Sequence, residues 1–190
     1  MNLPNAITIA RIALIPLLII ACEKGWFQPG WSLPIAFAVL GFSDMLDGYL
    51  ARKNNQITEL GKLLDPVADK ILVLASLLIL MEMPEYDHTA KYRIPGWSVL
   101  IIMAREFAVS GLRSLIAAHG GEILAASWMG KVKTTLQMVA IGMLFFRGDE
   151  PITGLPLMPL GWITYWAALL ITLYSGLEYF WKNRAVLRER

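Results

Sequence analysis

Four aspartates lie in a chain otherwise built to avoid charge. They fall in Asp44-Met-Leu-Asp47-Gly48-Tyr-Leu-Ala51-Arg52 and then in Gly61-Lys-Leu-Leu-Asp65-Pro-Val-Ala-Asp69. Long apolar runs flank both stretches, and a carboxylate at membrane depth costs enough that it marks a functional site. At ~100° per residue, a helix puts Asp44 and Asp47 on one face with the small residues Gly48 and Ala51. Met45, Leu46, Tyr49 and Leu50 take the opposite face, suited to lipid or a neighbouring helix. Asp65 and Asp69 are four apart, one turn along a single face. Asn54, Asn55 and Gly61 are expected to break the chain between the pairs. Pro66 is expected in a first turn, where its missing N–H costs nothing.

Four carboxylates that converge repel one another unless cations or protons intervene. The fixed positive charges nearest in sequence are Arg52, Lys62 and Lys70. Hard oxygen donors with no His or Cys among them select Mg2+ or Mn2+, and two ions is the natural count. Gly48 and Ala51 present no bulk, so a ligand can approach the helix backbone there. An interhelical polar contact would explain any one of these residues but not the set. Cation or proton translocation is an alternative from another class, disfavoured because the acids gather at one membrane edge instead of forming a path across.

The elements that must carry these groups are membrane helices. Of 190 residues 56% are hydrophobic, mean hydropathy is +0.53 and 17% are charged, against roughly 25% charged in soluble domains. A net charge of +2 and the lack of any basic arm argue against nucleic acid. The lone Cys22 excludes an internal disulfide and a sulfur-ligated metal. The first apolar run carries no A-x-A cleavage site and is expected to stay in the mature protein. Runs near the ~20 residues needed to span a bilayer fall at about 7 to 23, 32 to 52, 65 to 83, 95 to 118, 129 to 147 and 160 to 181. The expectation is an all-α, polytopic integral membrane protein of six transmembrane helices, one domain over 1–190 with no internal repeat.

Basic residues set the orientation. Arg52, Lys53 and Lys62, then Arg113, Lys131 and Lys133, then Lys182, Arg184, Arg188 and Arg190 flank one set of span ends, whereas the alternate connections hold Lys24, Lys91, Arg93 and Arg147. Both termini and the aspartate run are therefore expected on the cytoplasmic side. Trp26, Trp31, Trp97, Trp162 and Trp181 lie near span ends and suit interfacial anchors.

The complete run of acidic, glycine, alanine and arginine positions from 44 to 69 resembles the signature of the CDP-alcohol phosphotransferase family without departure. Asn2-Leu-Pro-Asn5-Ala-Ile-Thr8 with Arg11, Ala104-Arg105-Glu106, Ser110-Gly-Leu-Arg113, and Gly130-Lys131-Val-Lys133-Thr134 with Gln137-Met138 are similar to its phosphatidylglycerophosphate synthase branch. The resemblance implies transfer of a phosphatidyl group from CDP-diacylglycerol to sn-glycerol 3-phosphate with release of CMP. It implies two divalent metals on Asp44, Asp47, Asp65 and Asp69, with Asp69 also the general base. It implies that Gly48, Arg52 and Thr58, with Asn5, hold the CMP part of the donor. It further implies a six-helix homodimer in the inner (cytoplasmic) membrane of a bacterium, its active site facing the cytoplasm. A sibling phosphatidyltransferase using inositol phosphate, serine or phosphatidylglycerol remains the alternative within the enzyme class.

Chemistry agrees with such a transfer. Metals on a pyrophosphate neutralise developing charge, and a carboxylate at the attacking hydroxyl is a plausible base. Neither a G-x-S-x-G elbow nor a phosphate-cradling G-x-x-x-x-G-K-[ST] loop is present. A phosphorylated acceptor requires cations, for which Arg105, Arg113, Lys131 and Lys133 are the candidates. Arg105 and Arg113 are ~80° and ~12 Å apart on a helix, so one of them is expected to serve structure. Lys131 and Lys133 project ~200° apart, so only one is expected to face the pocket. His88 and His119 are expected in exposed connections, and Glu106 is expected to pair with Arg105 or a neighbour.

Overall fold

A computed structural model describes residues 2–27, 31–54, 58–82, 92–118, 128–146 and 155–184. Within them run α1 (Leu3–Glu23), α2 (Ser32–Lys53), α3 (Glu59–Glu82), α4 (Gly96–Ala118), α5 (Trp128–Phe145) and α6 (Leu157–Lys182). Each lies where a span is expected. The connections holding Asn55, His88, Lys91, His119 and Arg147, the tail arginines Arg188 and Arg190, and the side chain of Lys62 lie outside the described residues.

The largest departure is the start of α3. Six residues earlier than the apolar pattern suggests, the Thr58 hydroxyl accepts the Gly61 backbone N–H at 3.0 Å, a side-chain cap on a helix end that otherwise leaves donors unpaired. Gly61 therefore does not break the chain but sits in the first helical turn. Pro66 is inside the helix and not in that turn, so the carbonyl one turn before it loses its usual partner. The polar residues of 59–64 extended the helix because capping, not hydropathy, decides where a helix begins.

Three helices, α1, α2 and α6, are long and apolar enough to cross a membrane among the described residues. The other three carry the ionisable groups Asp65, Asp69 and Lys70, Arg105, Glu106 and Arg113, and Lys131 and Lys133, which lower their hydropathy. Large apolar side chains point outward all around the bundle, among them Phe42, Met45, Leu46, Leu170 and Leu177. That surface suits lipid, and it includes the face of α2 opposite its aspartates.

The helices pack as two connected groups. α1 lies against α3 and α2, and α6 lies against α5 and α4, with narrower contacts from α3 to α4 and α5 and from α2 to α5. Lipid tails are as apolar as leucine, so close van der Waals fit holds such helices together. Gly161 of α6 provides one such approach: a Cβ there would stand 2.9 Å from Met143 Cβ and 3.2 Å from the Leu144 backbone nitrogen. Ile15, Phe37, Leu77, Ile102, Ile141 and Tyr165 meet in the shared core, where Ser98 and Tyr165 satisfy each other's hydroxyls at 2.6 Å. The polar residues gather at the opposite end, drawn from the starts of α1, α3 and α5 and the later halves of α2, α4 and α6.

Candidate active site

One buried cation organises the acidic residues. Arg11, 1% exposed, donates to Asp44 Oδ1 at 2.6 Å and to Asp47, and its Nη1 lies 3.6 Å from Asp69 Oδ1. Thr8, one turn earlier on α1, places its hydroxyl 3.0 Å from Asp47 Oδ2 and 3.3 Å from Asp65 Oδ1. A hydroxyl has one proton, and that of Thr8 has three acceptors within reach, Asp47, Asp65 and the Pro4 carbonyl at 3.2 Å. All four aspartates thus meet on one end of the bundle, held by a helix that contributes no acid of its own. The fixed positive charge paired with them is Arg11, more distant in sequence than Arg52 and Lys70. Arg52 is exposed and folds over Gly48 on the wall of a cavity shared with Asp47 and Asp65, and Lys70 lines a cavity with Asp69 while donating to the Pro66 carbonyl at 3.1 Å.

Sequence reasoning noticed Thr8 and Arg11 only through the family resemblance and gave neither a role. The available signal was Arg11 itself, the single charged residue between Leu3 and Cys22. An ionisable group alone in an apolar span needs a buried partner of opposite charge.

Two cavities flank the carboxylates. The first, about 200 Å³, is lined by Asn5, Gly48, Arg52 and Thr58 together with Asp47 and Asp65. Thr58 donates to Asn5 Oδ1 at 3.0 Å, which ties α1 to the start of α3. A Cβ on Gly48 would lie 3.4 Å from Arg52 Nη1, so glycine leaves the guanidinium room to lie along the helix. The second cavity, also about 200 Å³, has Asp69 on its wall with Arg113, Lys133 and Gln137. Arg113, Lys133, Glu106, Ser110 and Thr134 are shared with a larger cleft of about 440 Å³ that adds Arg105 and Lys131.

Both arginines and both lysines line that cleft. Arg105 and Arg113 share it because side-chain reach covers the offset along α4. Lys133 is buried and Lys131 exposed, as a separation of ~200° around α5 implies. Glu106 carries the opposite charge into this set: it pairs with Lys133 and lies 3.4 Å from Arg105 Nη1. Arg105 also donates to Ser175 Oγ at 3.0 Å, and Arg113 stacks over the Tyr179 ring at 5.3 Å. A Cβ on Gly176 would approach Arg105 Cγ to 2.8 Å, so α6 leaves space for that side chain.

The donor set suits a hard divalent ion in its chemistry, four carboxylates with no nitrogen or sulfur ligand. In the present arrangement no group of three acids among the described residues closes on one point, and Arg11 stands among Asp44, Asp47 and Asp69. A cation held there would share these oxygens with Arg11.

The CDP-alcohol phosphatidyltransferase family model matches residues 1–174. The chain belongs to that family. It is 42% identical over 98% of its length to a CDP-diacylglycerol–glycerol-3-phosphate 3-phosphatidyltransferase of Bacillus subtilis, covering 97% of that protein. The enzyme of the same name from Haemophilus influenzae is 38% identical, with 94% of this chain and 91% of the relative aligned. The one from Escherichia coli K12 is 34% identical, with 100% and 98% aligned. The family is generally dependent on divalent metals, and its phosphatidyltransferase activity makes the chain an enzyme of the transferase class.

Proposed function

We propose that this protein transfers the phosphatidyl group of CDP-diacylglycerol to the free primary hydroxyl of sn-glycerol 3-phosphate, giving phosphatidylglycerophosphate and CMP. The supporting observation is the order of the site: the cavity lined by Asn5, Gly48, Arg52 and Thr58, then the four aspartates, then a cavity that joins Asp69 to Arg113 and Lys133. A donor nucleotide in the first and a phosphorylated alcohol in the second meet at the carboxylates between them. The acceptor oxygen bonds to the phosphatidyl phosphorus while the bond from that phosphorus to the CMP oxygen breaks. CMP leaves with the electron pair, and Asp69 takes the hydroxyl proton.

When bound to Asp44, Asp47, Asp65 and Asp69, two Mg2+ or Mn2+ ions supply charge neutralisation at the pyrophosphate and a fixed in-line geometry. Thr8 holds Asp47 and Asp65 in register. Arg105, Arg113, Lys131 and Lys133 bind the acceptor phosphate, and their number favours an anionic acceptor over serine. Its membrane setting is part of the proposal: one domain of six spans in a bacterial inner membrane, both termini and the site cytoplasmic, working as a homodimer. Three strongly apolar helices and the gathering of charge at one end of the bundle support that setting.

Purified protein given labelled CDP-diacylglycerol, Mg2+ and one acceptor at a time tests the assignment. CMP release with glycerol 3-phosphate alone is expected. Release only with inositol phosphate, serine or phosphatidylglycerol would reassign the acceptor, and no release with any of them would remove the enzyme assignment.

A further inference from the structure

Gln137 is the polar side chain that the site's ion pairs leave unexplained. It is 3% exposed, and its Nε2 has no hydrogen-bond partner among the described residues. A buried amide left unpaired costs enough that such groups call for a ligand or a bound water. The side chain lines the cavity of about 200 Å³ that also holds Asp69, Arg113 and Lys133. Gln137 stands one turn after Lys133 on α5, so the two occupy one face, ~6 Å apart along the axis.

On the proposed reaction, that cavity receives a molecule with three distinct polar parts. Its phosphate has Arg113 and Lys133. Its attacking hydroxyl has Asp69. The hydroxyl on the middle carbon has no partner in either set. Of the neutral polar side chains lining the cavity, Thr134 already donates to the Gly130 carbonyl at 3.1 Å and Ser110 also borders the wider cleft, whereas the Gln137 amide is buried and its Nε2 unpaired. A neutral amide suits this task, because it can donate to a hydroxyl oxygen without drawing the phosphate or the metals away from their own ligands.

We infer that Gln137 is a specificity-determining residue that donates from Nε2 to the middle hydroxyl of the acceptor, so that the site prefers a phosphorylated triol to a phosphorylated diol. The inference rests on the acceptor assignment above. Met103 and Val73 line the same cavity, so an acceptor lacking the middle hydroxyl leaves the amide buried, facing apolar neighbours.

The test compares sn-glycerol 3-phosphate with 3-hydroxypropyl phosphate, which lacks only the middle hydroxyl, in the natural protein and in Gln137→Met. Methionine keeps the length and volume and removes the donor. The natural protein should favour glycerol 3-phosphate in kcat/KM by about tenfold to a hundredfold, the range for leaving a buried polar group unpaired. Gln137→Met should lose most of that ratio by falling on glycerol 3-phosphate alone, with the KM for CDP-diacylglycerol unchanged. Gln137→Glu, which keeps an oxygen acceptor and adds a charge, should fall on both acceptors. A Gln137→Met protein that retains the natural ratio overturns the inference, as does an equal loss on both acceptors. A natural protein that releases no CMP with either acceptor refutes the acceptor assignment instead. If Gln137→Met does not fold, the natural protein's ratio alone decides, and a ratio near one rejects the contact.

Discussion

Replacing Arg11 with methionine should destabilise the metal-free protein and make it depend on divalent cations. Of the three pairs that Arg11 makes, the one with Asp47 is enclosed, with side-chain exposures of 1% and 3%. Removing one member of a buried pair leaves a stranded charge and costs about 3–5 kcal/mol. The pairs with Asp44 and Asp69 are 37% and 58% exposed on the acid side, so solvent screens them and each adds less than about 1 kcal/mol. The lower end of the range, about 3 kcal/mol, is therefore expected. At ~2–4 °C per kcal/mol for a chain of this size, unfolding in chelator should come about 6–12 °C earlier than in the natural protein. Mg2+ should recover most of the difference, since ions that bind the folded carboxylates stabilise by linkage and no longer compete with a guanidinium. Thermal unfolding in detergent, with chelator and then with Mg2+, measures both quantities, and Arg11→Lys should lose less than Arg11→Met. Equal midpoints in chelator, or an equal Mg2+ increment in both proteins, would show that Arg11 does not hold the acidic cluster together.

Asp69→Asn should lower kcat by about 10²–10⁴ with a much smaller change in CDP-diacylglycerol binding. A normal kcat would reject Asp69 as the base. Arg105→Ala and Arg113→Ala should each raise the KM for glycerol 3-phosphate about tenfold or more, the worth of a charge-assisted hydrogen bond, and spare that for CDP-diacylglycerol. Movement of the donor KM instead would place these arginines elsewhere. Gly161→Ala should cost about 1–3 kcal/mol of stability, because the added methyl meets Met143 Cβ at 2.9 Å and backbone at 3.2 Å. An unchanged unfolding midpoint would mean that α5 and α6 separate freely at that point.

The parts of this architecture that depend on local periodicity were legible in the sequence. Apolar runs placed six helices to within a few residues at most ends, and the three- and four-residue spacings of the aspartates put each pair on one face. Contacts between distant segments were not legible by the same means. Thr8 reaches Asp65 across 57 residues and Arg11 reaches Asp47 across 36, and no period records such a meeting. The start of α3 was missed because Thr58 acts through a single hydroxyl.

Charge balance explains why so polar a site is stable before its ligands arrive. In the acidic half four carboxylates gather round one buried guanidinium, Arg11, with Arg52 and Lys70 on the walls of the cavities beside them. In the cleft beyond it four cations face the single carboxylate of Glu106, a formal surplus of three positive charges. Each half keeps one buried counter-ion placed among its like charges, which limits repulsion without cancelling the field. On the proposed function the acidic half attracts divalent cations, and the basic half attracts a phosphate dianion. Asp69 lies on the boundary, belonging to the acidic cluster through Arg11 and to the basic cavity through its position on the wall with Arg113 and Lys133. An acceptor drawn in by its phosphate can therefore direct its free hydroxyl only toward the carboxylate edge, because the opposing fields orient it before any contact is made. Glu106 is thereby tied to acceptor binding in a definite direction. Removing its charge would enlarge the positive surplus and also free Lys133 and Arg105 from their fixed places, so long-range attraction would rise while the geometry for transfer deteriorated.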